Sequence, residues 1–215
     1  MERAVLETEA YRKYEGTVSV PELRALTLRH FFAHKTISIH RGELIVGEKG
    51  DGPQSAPTFP ELCCHTIEDM QIMDRRELIR FAVTPEDLRI QKEEIIPYWE
   101  KRSIRYRILN SMSDEWKAAY ECGIFTEFME QRGPGHTVGS NKIYQKGFLD
   151  YREDIRRAMD ALDFVHDKDA LHRKEELSAM SIACEAVMIL GRRYEALARE
   201  MAAAETDPQW KADLL

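Results

Sequence analysis

The residues best placed to do chemistry lie in one stretch, Cys122 to Gly147: C-G-I-F-T-E-F-M-E-Q-R-G-P-G-H-T-V-G-S-N-K-I-Y-Q-K-G. It starts as an amphipathic segment, with Ile124, Phe125, Phe128 and Met129 apolar, then breaks at Arg132-Gly133-Pro134-Gly135 and presents His136. Two glycines around a proline cannot continue a helix, and they open backbone conformations that other residues avoid. The bend holds one imidazole at the end of an apolar wall, and imidazole is the side chain best suited to move a proton near neutral pH. An ordinary loop histidine is the competing reading. Glu127, Glu130 and Arg132 read as structural charges that pair at three- and four-residue spacing.

The cysteines offer less. Cys63 and Cys64 are adjacent, and with Cys122 and Cys184 they make no zinc-ligand spacing. A metal hydrolase built on Cys63, Cys64, His65 and His136 is a weak reading, because adjacent cysteines rarely serve one tetrahedral site. Cys184, in I-A-C-E-A-V-M-I-L, reads as a small apolar residue on a buried helix face. Nine methionines and few, irregular cysteines suit a reducing cytoplasm.

Composition bounds the partners. The chain has 215 residues, 43% hydrophobic and 32% charged, with a net charge of −7 and both signs interspersed. That describes a globular protein with one good core or two small ones. No basic stripe suits a phosphate backbone, which argues against nucleic acid. No apolar run approaches the roughly 20 residues that would cross a bilayer, which argues against a membrane partner.

The elements that must position the central stretch are mostly helices. Residues 2–14 read as a helix without a cap, ended by Gly16-Thr17. Ser19-Val-Pro-Glu22 is a capping box that starts a helix running to about Lys35. Thr36–Ile39 and Leu44–Val46 are short β-like runs flanking H-R-G-E, a turn or hairpin signal. Prolines 53, 57 and 60 keep residues 53–61 extended. Helices follow from Thr66 to about Asp74, and from a Thr84-Pro-Glu-Asp87 cap with Leu88, Gln91, Ile95 and Trp99 on one face. Pro97 is expected to kink or end that second helix.

Further helices are expected from Ser103 to Met112, after the Ser113 cap, and from Phe148 to His166 with a stripe of Tyr151, Ile155, Ala158, Met159, Leu162 and Val165. The longest helix runs from Lys168 or Arg173 to Ala204. Its seam is Leu177, Met180, Cys184, Val187, Gly191, Tyr194, Ala198 and Met201, and the small residues at 184, 191 and 198 suit close packing on another helix. Asp207-Pro208 caps a last helix that has barely begun at Leu215. With the uncapped opening, this predicts a piece of a longer protein.

Several segments, in this order, resemble the glycyl radical enzymes, within their dehydratase subgroup. They are R-A-V-L-E-T-E-A-Y-R-K-Y-E-G (3–16), R-G-E-L-I-V-G-E (41–48), P-T-F-P-E (57–61), I-P-Y-W-E-K-R-S (96–103), F-T-E-F-M-E-Q-R-G-P-G-H-T (125–137), Y-Q-K-G-F-L-D-Y (144–151) and S-I-A-C-E-A-V (181–187). The wording is most like the enzymes that dehydrate trans-4-hydroxy-L-proline. The resemblance implies a fold that is mainly α with one or two short β-strands, the N-terminal helical portion of a ten-stranded α/β barrel. It implies that residues 1–215 are the first part of a pyruvate formate-lyase-type domain, truncated at the C-terminus and open to truncation at the N-terminus.

In that family a cysteine radical abstracts a substrate hydrogen, and a hydroxyl then leaves with help from a positioned acid. His136 matches the histidine that contacts the substrate hydroxyl, and Phe128 matches a pocket-lining position eight residues earlier. The resemblance implies no cofactor held directly by this chain. The glycyl radical would lie on a glycine outside it, installed by a radical SAM activating enzyme that uses S-adenosylmethionine and an iron–sulfur cluster. It also implies a small-molecule substrate, a cytoplasmic location and a homodimeric complete enzyme.

The departures concern the radical itself. Neither a G-C-V-E-like loop nor an R-V-(A/S)-G-Y loop is present, and the cysteines occur in L-C-C-H, E-C-G-I and A-C-E-A. These residues by themselves are therefore expected to carry no radical chemistry. The alternative is a non-enzymatic helical interaction module or remnant, which would bury the Leu177–Met201 seam internally.

Overall fold

The computed structural model describes residues 1–43, 45–47, 54–55, 57–125 and 140–215. Among them all regular structure is helical. Two compact units form. One comprises Met1–Thr8 and residues 52–138, the other residues 9–51 and 139–215. Helix α1, Glu2–Tyr14, begins in the first unit and ends in the second.

In the first unit, helix starts follow local cap chemistry. α3 (Ile67–Arg75) is opened by a reciprocal Thr66/Asp69 capping box and α4 (Pro85–Ile90) by Thr84/Asp87, with Pro85 at the helix entry. The helix does not end at Pro97. A π-helical turn, Gln91–Ile95, leads into α5 (Ile96–Trp99), and the Ile96 amide bonds the Gln91 carbonyl five residues back. A proline has no N–H and its ring collides with the carbonyl four residues earlier. A wider turn just ahead of Pro97 relieves that collision, so the helix passes through. Gln91, Ile95 and Trp99 recur every fourth residue and are all buried. Ser103 caps α6 (Ile104–Ser111) and Ser113 caps α7 (Asp114–Glu121).

In the second unit α9, Ala170–Ala204, is the spine, and its 35 residues span roughly 50 Å at 1.5 Å per residue. α2 (Val20–His34), α8 (Phe148–Asp160) and α10 (Pro208–Leu214) pack against it. Glu22 meets Ser178, Arg29 meets Glu185 at 2.9 Å, and Arg193 reaches the carbonyls of Phe32 and Lys35. Both sets of numbers rise together, so α2 and α9 run parallel. Arg193 thereby takes carbonyls at the α2 C-terminus that no intrahelical amide satisfies. At the far end of α9, Ala202, Trp210 and Leu214 form a buried cluster flanked by Ile39, Ala198 and Met201.

Three expectations are corrected. No strand occurs among the described residues. Thr36–Ile39 has no ladder partner there, and Ile39 instead packs beside Trp210, while Leu44 lies outside the described residues. The H-R-G-E turn is present, with the Glu43 amide on the His40 carbonyl and the Glu43 carboxylate accepting from the His40 amide. α8 stops at Asp160 and does not reach His166. The Asp163 carboxylate accepts from the amides of Val165 and His166, a local alternative to helix, and Val165 is left exposed. On α9, Cys184 and Tyr194 are buried as expected, but Met180 is exposed and Gly191 has open space where a Cβ would stand. Gly191 thus marks no close helix contact.

Candidate functional site

His136 and Phe128 both lie outside the described residues, as does the Gly133-Pro134-Gly135 bend. What can be built is the frame on either side. In the first unit α7 ends at Glu121, and Gly123 turns the chain at a positive φ of 73°, a conformation that suits glycine. Phe125 then packs edge-on against Trp116 at 5.3 Å and near Tyr120 at 5.8 Å, while the Arg105 guanidinium donates to the Tyr120 hydroxyl at 2.9 Å. The first aromatic of the F-T-E-F-M segment is therefore anchored. Ile124, read from the sequence as part of an apolar face, is exposed.

In the second unit the chain re-enters as a 3-10 turn, Ser140–Tyr144, whose Lys142 carbonyl accepts from the amides of Gln145 and Lys146. Gly147 starts α8, with its amide on the Asp150 carboxylate, and Lys146 pairs with Asp154.

In the first unit, segments that carry the resemblance meet one another. Arg3 donates to both oxygens of Glu61 at 2.6 and 3.1 Å and to the Thr58 carbonyl at 3.1 Å, and its guanidinium lies 4.0 Å from the centre of the Phe59 ring. Glu7, one turn on, stands 3.2 Å from the same guanidinium. R-A-V-L-E-T-E-A is thereby clamped to P-T-F-P-E. The Trp99 indole donates to the Thr8 hydroxyl at 2.8 Å, tying I-P-Y-W-E-K-R-S to the same helix. In the second unit Arg41 pairs with Asp207, whose carboxyl sits below its usual range through the Gln209 amide and that arginine. The clamp residues were not singled out from sequence. The available signal was that they occur inside the segments that carry the resemblance.

The cysteines do not converge on a radical or metal site. Cys184 is buried in the interior of continuous α9, which is not a strained loop, and burial raises its thiol pKa. Burial is also the main reason that Cys64 is pushed up to about 12, with Cys63 and Glu100 adding to it. Among the described residues no group of three or more His, Cys, Asp or Glu could hold a metal ion, and no helix is long and apolar enough to cross a membrane.

Comparison with known proteins adds what the frame lacks. Residues 1–215 match the family model described as pyruvate formate lyase-like. The chain is 58% identical to a trans-4-hydroxy-L-proline dehydratase of Clostridioides difficile over 215 residues, covering 100% of this chain and 27% of that protein. The crystal structure of the hydroxyproline dehydratase from the same organism, with trans-4-hydroxy-L-proline bound, superposes with a TM-score of 0.92 at 57% identity, over 100% of this chain and 27% of that one. A glycerol-bound glycerol dehydratase from Clostridium butyricum gives a TM-score of 0.88 at 26% identity, over 99% of this chain and 27% of that one. The chain thus spans about a quarter of the length of the relatives it matches.

Proposed function

Because the chain belongs to the pyruvate formate lyase-like family, we propose that residues 1–215 are the N-terminal portion of a glycyl radical dehydratase that removes water from a hydroxyproline-like substrate. The observation that carries this reading is identity of 58% along the whole chain to a trans-4-hydroxy-L-proline dehydratase, against 26% for the glycerol enzyme. The helices described here would form part of the wrapping around a ten-stranded α/β barrel supplied by further sequence.

The radical, held on a glycine outside these residues and installed by a radical SAM partner, supplies hydrogen abstraction through a cysteine. The remaining work belongs to side chains. Loss of hydroxide from carbon is slow unless the oxygen gains a proton as the bond breaks, and a histidine within hydrogen-bond reach can donate it. His136 has that role in this proposal, so the hydroxyl departs as water. Phe128 offers a flat apolar face to a pyrrolidine ring, where a glycerol pocket would call for a hydrogen-bonding group. The complete enzyme would be a homodimer.

Several large apolar side chains are exposed. Leu78, Ile79 and Ile124 in the first unit, and Tyr144, Leu149 and Val165 in the second, are each more than two-thirds exposed. Leu78 and Ile79 are neighbours in sequence, and a partner surface over them would suit this reading. The competing reading, a helical interaction module without catalysis, draws on the missing radical loops and on α9, which packs against α2, α8 and α10 and buries Cys184 and Tyr194 of its seam.

Anaerobic activation of the complete polypeptide that contains residues 1–215 separates them. Consumption of trans-4-hydroxy-L-proline, with little of glycerol, is expected. Activated protein that consumes neither would favour the module, and preference for glycerol would overturn the substrate assignment.

A further inference from the structure

The turn at the end of α7 is fastened twice, by backbone and by side chains. The Gly123 amide bonds the Tyr120 carbonyl and the Ile124 amide bonds the Ala119 carbonyl, each at 3.0 Å, which is a Schellman closure. That closure needs a left-handed residue. Gly123 supplies it at a φ of 73°, with nothing within 4 Å of where a Cβ would stand, so glycine serves the backbone here and not close packing. The side-chain fastening follows at once. Phe125 meets Trp116 edge-on and lies beside Tyr120, whose hydroxyl accepts from the Arg105 guanidinium at 2.9 Å. Arg105 is itself placed, because its amide bonds the Leu62 carbonyl at 3.0 Å and the Ile104 amide bonds that of Glu61 at 2.9 Å. Glu61 is the residue whose carboxylate Arg3 clamps. No residue of α6 or α7 is buried, and Trp116 is 60% exposed. These contacts therefore build no core. What they fix is the position of Phe125.

Covalent geometry carries that position onward. Three peptide units separate Phe125 from Phe128, so their Cα atoms are at most about 11 Å apart. We propose that Arg105 and Tyr120, acting through Phe125, and Gly123, acting through the backbone, are positioning residues that set where Phe128 meets the substrate ring. The proposal rests on the dehydratase reading and on the part given there to Phe128. A flat apolar contact with a pyrrolidine ring is made before and during reaction alike. Displacing Phe128 therefore weakens capture of the substrate and leaves the chemical step alone, which is the pattern of a raised KM with kcat unchanged. Arg105, Tyr120 and Gly123 thus act on ring binding, separately from proton donation by His136.

The test uses the complete, activated polypeptide and trans-4-hydroxy-L-proline. Tyr120→Phe removes only the hydroxyl, Arg105→Met removes its donor, and Gly123→Ala strains the turn without a steric clash. Each is expected to raise KM about three- to tenfold, with kcat within about twofold of the wild type. Arg105→Lys keeps a donor and should recover most of the loss. Arg193→Ala, which loosens the second unit, should leave KM unchanged, so lost stability alone does not reproduce the effect. The sharpest comparison is made in a Phe128→Ala background. There Tyr120→Phe should change KM by less than about twofold, because the ring that it positions is gone. An equal rise in both backgrounds, a wild-type KM in Tyr120→Phe and Gly123→Ala, or a fall in kcat alone would overturn the positioning role and leave the dehydratase reading standing. Wild-type enzyme that turns over no hydroxyproline would overturn both.

Discussion

Replacing Arg3 by alanine should be among the most damaging single changes in the first unit. The side chains of Arg3, Glu7 and Glu61 are 16%, 9% and 14% exposed, so all three charges are largely out of water. Removing the guanidinium deletes a two-pronged contact to Glu61, the bond to the Thr58 carbonyl and the stack on Phe59. It also takes that cation away from two neighbouring carboxylates. Breaking a fully buried pair costs about 3–5 kcal/mol, and the water that still reaches these groups lowers the figure to about 2–4 kcal/mol. Lysine keeps the charge but not the planar fork, so Arg3→Lys should lose about 1–2 kcal/mol. Urea titration followed by tryptophan fluorescence reads the difference, because Trp99 is bonded to Thr8 on the same helix. Added salt should change it little, since screening acts mainly on exposed charges. An Arg3→Ala chain within about 0.5 kcal/mol of the wild type, the range of neutral surface changes, would refute the clamp.

Two further outcomes concern the second unit. Arg193→Ala should cost about 1.5–3 kcal/mol in a thermal melt, because it strips a charged donor from the Phe32 and Lys35 carbonyls at the α2 terminus. Arg193→Lys should recover part of that loss, and full tolerance of alanine would contradict the parallel α2–α9 pairing. Glu22 is held below its ordinary value of 4.5, first by a hydrogen bond from Ser178 and then by Ser19. A depressed folded pKa stabilises above the ordinary value and is lost as pH falls through the lower one. Glu22→Gln should therefore cost about 0.5–1.5 kcal/mol at neutral pH, with the gap closing as pH drops below 4.5. A gap that widens on acidification would contradict this.

Much of the helical frame was legible because capping is local chemistry. Ser19 with Glu22, Thr84 with Asp87, Ser113 and Asp207 each satisfy amides within three residues, and each was readable from spacing alone. The failures share a different cause. Thr36–Ile39 has β-like residues, but a strand exists only where another strand offers hydrogen bonds. Pro97 implies a kink or an end; the helix does not end there, and nothing in Q-K-E-E-I announces the π-turn that precedes it. Asp163 looks like one more exposed acid until its carboxylate is seen to cap two amides. Arg3 and Arg193 act on partners 55 or more and roughly 160 residues away, a separation over which pattern carries no distance information. Of the candidate site, the family could be read, but of the Cys122–Phe125 approach only Phe125 packs as an apolar residue, because the chain turns at Gly123 and leaves Ile124 exposed. Phe128 and His136 rest on their match to the family motif, and only their flanks are described.

The account depends most directly on what His136 does in the complete polypeptide. The decisive measurement compares turnover of trans-4-hydroxy-L-proline by activated wild-type enzyme and His136→Ala, alongside the melting temperature of each. Loss of a positioned acid predicts a fall of about 10²–10⁴-fold in turnover with the melting temperature unchanged. Equal turnover by the two proteins would contradict it.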